Sequence, residues 1–139
     1  SGGLFIFSTL GPDTLKELKE VSSGLSEFPL VSTFLDMHIV GDKLALAGFA
    51  DPVVESEIIT VNYSEPMELF RDLKGLGASN ADSARRKSLT GTSRMRRILK
   101  EYGKFGNNGK IPATYEVILG HAWVINKNGE NEYPIKRLR

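Results

Sequence analysis

Eight basic side chains fall within twenty residues: Arg85, Arg86, Lys87, Arg94, Arg96, Arg97, Lys100 and Lys104, with Glu101 the single acid among them. Guanidinium groups grip carboxylate and phosphate oxygens through paired N–H donors, so this segment has the chemistry to hold an anion. As a merely solvated helix face it would be costly, because like charges one turn apart repel. The functional reading is a docking surface for an acidic partner. Each exposed ion pair contributes only about 0.2–1 kcal/mol, so several must act together. Screening over about 8 Å at physiological salt makes such a contact salt-sensitive. Other chemistry is sparse. Cysteine is absent, which removes disulfides, thiolate nucleophiles and Cys-ligated metals. His38 and His121 are the only histidines, and Asp36-x-His38 offers too few ligands for a metal, so none is expected. The Gly103-x-x-Gly106-x-x-Gly109 run invites a phosphate-loop reading. It follows a helical segment instead of opening one, and reads as a connector.

The chain has 139 residues, the size of one domain. It is 40% hydrophobic and 25% charged, which places it among soluble globular proteins. No apolar stretch approaches the roughly 18 residues of a membrane helix. The apolar start lacks the basic leader and cleavage site of a signal peptide, so a cytoplasmic location is expected. The net charge of +1 conceals a split. Residues 1–84 carry five basic and thirteen acidic side chains, net −8, whereas residues 85–139 carry thirteen basic and four acidic ones, net +9. Such asymmetry points to a localised patch for an anionic partner.

The elements that must position these groups are legible in outline. Leu4-Phe5-Ile6-Phe7 is a continuous apolar run closed by turn residues, which predicts a strand over 4–9 buried on both faces. Such strands lie inside parallel sheets, so the chain is expected to be the back half of an α/β protein. Asp13 reads as the N-cap of a helix over 14–22, with Leu15, Leu18 and Val21 at helical spacing. Residues 24–35 read as a packed loop. A helix over 37–47 follows, ended by Gly48, and Pro52 precedes a strand over 53–63 rich in Val, Ile and Thr. Ser64 is placed as the cap of a helix over 65–75, and a short helix is expected near 81–87. Met95, Ile98, Leu99 and Tyr102 form the apolar stripe of a helix over 94–103. A strand over 113–125, a hairpin at Asn126–Gly129 and a short strand near 132–136 close the chain. The first strand–helix–strand passage implies a parallel pair with a right-handed crossover.

Several of these pieces resemble a known family. Leu44-Ala45-Leu46-Ala47-Gly48-Phe49 followed by Val53-Val54 is similar to the step from the last helix to the sixth strand of class I methyltransferases. Gly2-Gly3-Leu4-Phe5-Ile6-Phe7-Ser8 resembles their fifth strand. Phe7 to Leu15, Asp36-Met37-His38, Arg71 to Asn80 and Ala113 to Trp123 then occur in the order that resembles the C-terminal half of the malonyl-acyl-carrier-protein O-methyltransferases of biotin synthesis. The resemblance covers nearly all of residues 2–125, and the last dozen residues have no counterpart in it. It implies an α/β, Rossmann-like sheet of seven strands, with strands five, six and seven present here and antiparallel strand seven inserted between the other two. Residues 1–139 would then be one C-terminal part of a methyltransferase domain, with a helical lid insertion over about 64–112 between strands six and seven. It also implies S-adenosylmethionine as methyl donor in the full-length parent. The acceptor would be the free carboxylate of a malonyl thioester on acyl carrier protein, an acidic partner suited to the basic segment. No G-x-G-x-x-G follows a strand, so this fragment is expected to hold no donor and to be inactive alone.

Ligands of open α/β sheets bind at the carboxyl ends of the parallel strands. Thr9, Tyr63 and Tyr115 are expected at that edge and are the pocket candidates, with half-buried packing an equal reading for the two tyrosines. One of Arg94, Arg96 and Arg97 is expected to clamp the acceptor carboxylate, and the sequence does not choose among them. Two alternatives stand: a class I methyltransferase for another small carboxylate, or a nucleic-acid-binding module using the basic segment with Tyr102 and Phe105. The aromatics sit on or beside the apolar stripe and not among the basic residues, which counts against the second. The bare outer edge of the first strand is expected to make the fragment self-associate.

Overall fold

A computed structural model describes residues 2–25, 30–75 and 92–125. Among these residues three strands form one sheet: β1 (Leu4–Leu10), β2 (Phe49–Tyr63) and β3 (Ile111–Val124), in the order β1-β3-β2. β3 is antiparallel to both neighbours. Leu4 to Leu10 lie opposite Trp123 to Val117, and Tyr63 back to Phe49 lie opposite Ile111 to Val124. β1 and β2 therefore point the same way without touching, because the last described strand lies between them. This is the arrangement that the resemblance implies for strands five, seven and six, set in a mixed α/β structure.

β2 is richer in register detail than its sequence suggests. It begins at Phe49, not after Pro52, with a shift in pairing between Ala50 and Val53. Asp51 takes a positive φ of 46° there, and Pro52 has no N–H to give the ladder, so the irregularity absorbs both.

Among the described residues four helices flank the sheet: α1 (Lys16–Ser23), α2 (Met37–Leu46), α3 (Pro66–Gly75) and α4 (Thr92–Gly103). Asp36 caps α2 by accepting the His38 N–H, and Gly48 at φ 85° turns the chain out of it. At α3 the Glu68 carboxylate reaches back to the Ser64 N–H (2.9 Å), while the Ser64 hydroxyl receives Lys110 Nζ (2.9 Å). Asp13 does not cap α1, as its sequence position suggested. The helix starts at Lys16 after a left-handed Leu15 (φ 55°), and Asp13 turns its N–H elsewhere.

Directly paired residues share a sheet face. On one face Ile111, Ala113 and Tyr115 of β3 and Tyr63 of β2 pack against Leu15 and Leu18 of α1, Leu69 and Leu73 of α3, and Ile98 and Tyr102 of α4. α2 lies on the other face, where its Gly41 approaches Val54 of β2. β3 is buried from both sides: Ile118 and Ala122 are as inaccessible as Ala113. β1 is not. Leu4, Phe5 and Ile6 are 47%, 41% and 70% exposed, so the strand expected to be covered on both faces is open here. The expected helix near 81–87, the hairpin at 126–129 and the strand near 132–136 lie outside the described residues.

Phe7 lays its ring across its cross-strand partner Gly120, in the space a Cβ would occupy. Gly120→Ala is expected to cost about 1–3 kcal/mol, since the ring must leave its place in a packed face. Gly24→Ala, where nothing lies nearby, should change stability by no more than about 0.5 kcal/mol. Urea unfolding midpoints of the two variants check this.

Candidate functional site

β1 covers one edge of β3 only as far as Val117. Beyond it, residues 112, 114 and 116 of β3 turn backbone groups toward that same side, and buried backbone groups need partners. The segment after β1 supplies them. Gly11 N–H donates to the Glu116 carbonyl (2.8 Å) and Leu15 N–H to the Thr114 carbonyl (2.6 Å). The Thr14 hydroxyl donates to the Glu116 carbonyl (3.2 Å) and accepts the Glu116 N–H (3.1 Å). The Glu17 carboxylate accepts both the N–H and the hydroxyl of Thr114. Pro112 has only a carbonyl to satisfy, and Tyr102 Oη donates to it (2.8 Å).

The Glu116 side chain adds a second tie. Its Oε2 accepts the Asp13 N–H (2.9 Å) and its Oε1 accepts the Ser56 hydroxyl (2.8 Å). Gly11 leaves room for that carboxylate, since a Cβ there would run into it. Lys19 Nζ holds the Pro12 carbonyl (2.6 Å) from outside, and burial pulls its pKa below the ordinary lysine value. Glu17, Glu116 and Thr14 are all buried. Among the described residues, every buried polar side-chain atom has a partner.

Tyr63 and Tyr115 come together on the α3 side. Their hydroxyls lie 3.2 Å apart, and Tyr63 Oη donates to Asp72 Oδ2 (2.9 Å). Because Tyr63 directs its own O–H to Asp72, it accepts from Tyr115. Burial first, then these hydrogen bonds, raise the Tyr63 pKa well above the ordinary value. Burial likewise raises Tyr115 and Tyr102.

Thr9 does not join the two tyrosines. It pairs with Ile118, three residues from Tyr115, which puts it on the opposite face. It borders an apolar cavity of about 280 Å³ lined by Phe5, Phe7, Leu35, Val40, Lys43 and Leu44. A second cavity, about 450 Å³, opens between α1 and α4 beside Val21, Leu25, Glu101, Lys104 and Phe105.

Arg94, Arg96, Arg97 and Lys100 are exposed on α4, while Ile98 and Tyr102 of the same helix are buried. Lys104 is paired with Glu101 (2.6 Å), and that hydrogen bond holds the Glu101 carboxyl below the ordinary range. Arg85, Arg86 and Lys87 lie outside the described residues. Tyr102 offers no stacking surface to the basic face, being fully buried with its hydroxyl on Pro112. The glycine run after α4 is a tight turn in which Asn107 and Lys110 exchange backbone hydrogen bonds and Gly106 N–H bonds the Gly103 carbonyl. The N–H groups of Gly106, Asn107 and Lys110 are thus used within the turn. His38 Nδ1 lies 2.8 Å from Asp36 Oδ1 at the α2 cap, and half-buried His121 sits between Ile6 and Val53 across the strands. No group of three or more metal-ligating side chains occurs among the described residues. No described helix is long and apolar enough to cross a membrane.

Sequence reasoning passed over Glu17, Ser56 and Glu116. The signal was present at Glu116: a carboxylate inside the apolar run Tyr115–Leu119 of a doubly buried strand must find donors in the interior.

No family profile matches the chain. Individual proteins do. The chain is 47% identical over 123 residues to the malonyl-[acyl-carrier protein] O-methyltransferase of Nitrosospira multiformis, covering 88% of this chain and 40% of that protein. With the enzyme of the same name from Gallionella capsiferriformans it is 45% identical over 131 residues, covering 91% and 45%. The malonyl-[acyl-carrier protein] O-methyltransferase 1 of Coxiella burnetii gives 47% over 128 residues, with the same two shares. The chain is homologous to the malonyl-[acyl-carrier protein] O-methyltransferases. It spans about two-fifths of the length of these curated relatives. The resemblance seen in its motifs is thereby established across nine-tenths of the chain.

The three buried tyrosines make stability depend on alkaline pH. Their folded pKa values exceed the ordinary 10, so the stability they contribute is full below pH 10 and is lost as pH rises toward those raised values. Absorbance titration at about 295 nm should show Tyr63, Tyr102 and Tyr115 ionising only with unfolding, above about pH 10.

Proposed function

We propose that this chain forms the acceptor side of an S-adenosylmethionine-dependent O-methyltransferase that esterifies the free carboxylate of malonyl-acyl carrier protein, a step of biotin (pimelate) synthesis in the cytoplasm. The carrying observation is the 44–47% identity to proteins of that name over about nine-tenths of the chain. Another small carboxylate as acceptor is less favoured on the same ground.

When bound, S-adenosylmethionine supplies an electrophilic methyl group. The residues of this chain do not fit a donor cradle, for no glycine-rich turn follows a strand, and in the glycine run after α4 the N–H groups of Gly106, Asn107 and Lys110 bond carbonyls of the same segment. We assign the donor site to the part of the relatives' length that this chain does not span, and no donor is expected to bind to residues 1–139 alone. The acceptor carboxylate is ionised at neutral pH and needs no base. The work left to this chain is to seize an anion, orient it and strip its water. The exposed row Arg94, Arg96, Arg97 and Lys100 on α4 suits both the acidic carrier protein and the malonyl carboxylate. Arg85, Arg86, Lys87 and Lys104 would extend the docking surface. Thr9, Tyr63 and Tyr115 remain the pocket candidates. The two tyrosines share one hydrogen-bonded cluster, and Thr9 serves from the other face of the sheet.

The test is methyl transfer to malonyl-acyl carrier protein by the enzyme carrying this chain. Reversing Arg94, Arg96 and Arg97 to Glu should raise KM for the carrier-protein substrate about tenfold, and more at low salt than at high. An unchanged KM removes the docking role from α4.

The open edge of β1, with Leu4, Phe5 and Ile6 exposed, supports a further proposal: residues 1–139 alone self-associate by pairing Leu4–Phe7 across a two-fold axis. Light scattering is expected to give a mass above 15.3 kDa. A monodisperse monomer contradicts it.

A further inference from the structure

We infer that Glu116 is a positioning residue for the acceptor pocket, holding the Thr9–Asp13 rim at the carboxyl end of β1. The inference rests on the acceptor-side reading above. Its geometry rests on two side-chain ties and a gripped backbone, all at one residue. The carboxylate binds the Asp13 N–H on the turn and the Ser56 hydroxyl on β2, while the Glu116 backbone is gripped by Gly11 and Thr14.

Register puts the partners on one face. Thr9 and Ser56 both lie opposite Ile118, and Glu116 is two residues further along β3 on that same face. An ionised carboxylate accepts only, so it can take two donors from different segments at once. The side chain is buried and in contact range of Gly11, so the turn cannot settle inward without displacing it. The rim where ligands meet an open α/β sheet is thus shaped by an acid that faces away from solvent.

Removing the carboxylate frees the turn. Glu116→Ala leaves the Asp13 N–H and the Ser56 hydroxyl without an acceptor and opens space beneath Gly11. Glu116→Gln keeps both ties, with its carbonyl on Asp13 and its amide donating to Ser56 Oγ. A purely structural role would lower the active fraction and therefore kcat alone. A positioning role changes KM for the acceptor.

The experiment is steady-state kinetics of the enzyme carrying this chain, with malonyl-acyl carrier protein and S-adenosylmethionine varied separately. Glu116→Ala is expected to raise the acceptor KM about tenfold and leave the donor KM within about twofold, with Glu116→Gln within about threefold of the parent. Ser56→Ala, which loses one tie only, should raise the acceptor KM by about threefold and decides the matter should the Ala variant at 116 fail to fold. An acceptor KM unchanged in Glu116→Ala or in Ser56→Ala, or a Gln variant as impaired as the Ala variant, overturns the inference alone. An unsubstituted enzyme that does not methylate malonyl-acyl carrier protein overturns the acceptor reading, and this inference with it.

Discussion

The structure turns on one open edge. A strand inserted between two others must satisfy its backbone on both sides, and β1 is too short to do this for β3 beyond Val117. The chain closes the gap with turn amides, a threonine hydroxyl, a glutamate and a tyrosine, each aimed at an alternate residue of β3. Much else follows. Leu15 enters the left-handed region so that its N–H meets Thr114, α1 begins two residues later than a capped helix would, and α4 is fastened at Tyr102. An unmade bond to any of these buried groups would cost about 1–3 kcal/mol, enough to dictate local backbone geometry.

That edge also organises charge. Two carboxylates go into the interior, where an isolated ion would be ruinous, because backbone and hydroxyl donors converge on them. Meanwhile the cationic groups of α4 remain outside, where they keep their hydration and their reach. The same helix thus presents a buried apolar side with one hydroxyl tie and a wet basic side. The buried tie and the exposed cations thus lie on different sides of α4.

The sequence was legible wherever one periodic pattern decided the matter. The apolar run at Leu4–Phe7, the stripe from Met95 to Tyr102 and the β-branched stretch after Pro52 each became the element expected of them. The strand over 113–125 was readable from its own pattern, but its insertion between β1 and β2 only through family resemblance, because nothing local in Ile111–Val124 states which strands it will separate. Asp13 misled for a physical reason. Its side chain has the right chemistry for a helix cap, yet its backbone N–H is claimed by Glu116, more than a hundred residues away. Long-range demands of this kind leave no periodic trace. The tyrosine pair shows the same limit: its members' place at the sheet edge was foreseeable, but their hydrogen bond to each other and that of Tyr63 to Asp72 were not.

The order β1-β3-β2 carries a consequence for how the chain acquires its shape. The central strand is the last of the three in sequence, so neither β1 nor β2 has a described strand to pair with until Ile111–Val124 has left the ribosome. Nearly all the sheet's contacts close loops of fifty to over a hundred residues, the situation in which folding is slow. For that interval two apolar strand edges stand open together, at the moment in the protein's life when chaperones matter most.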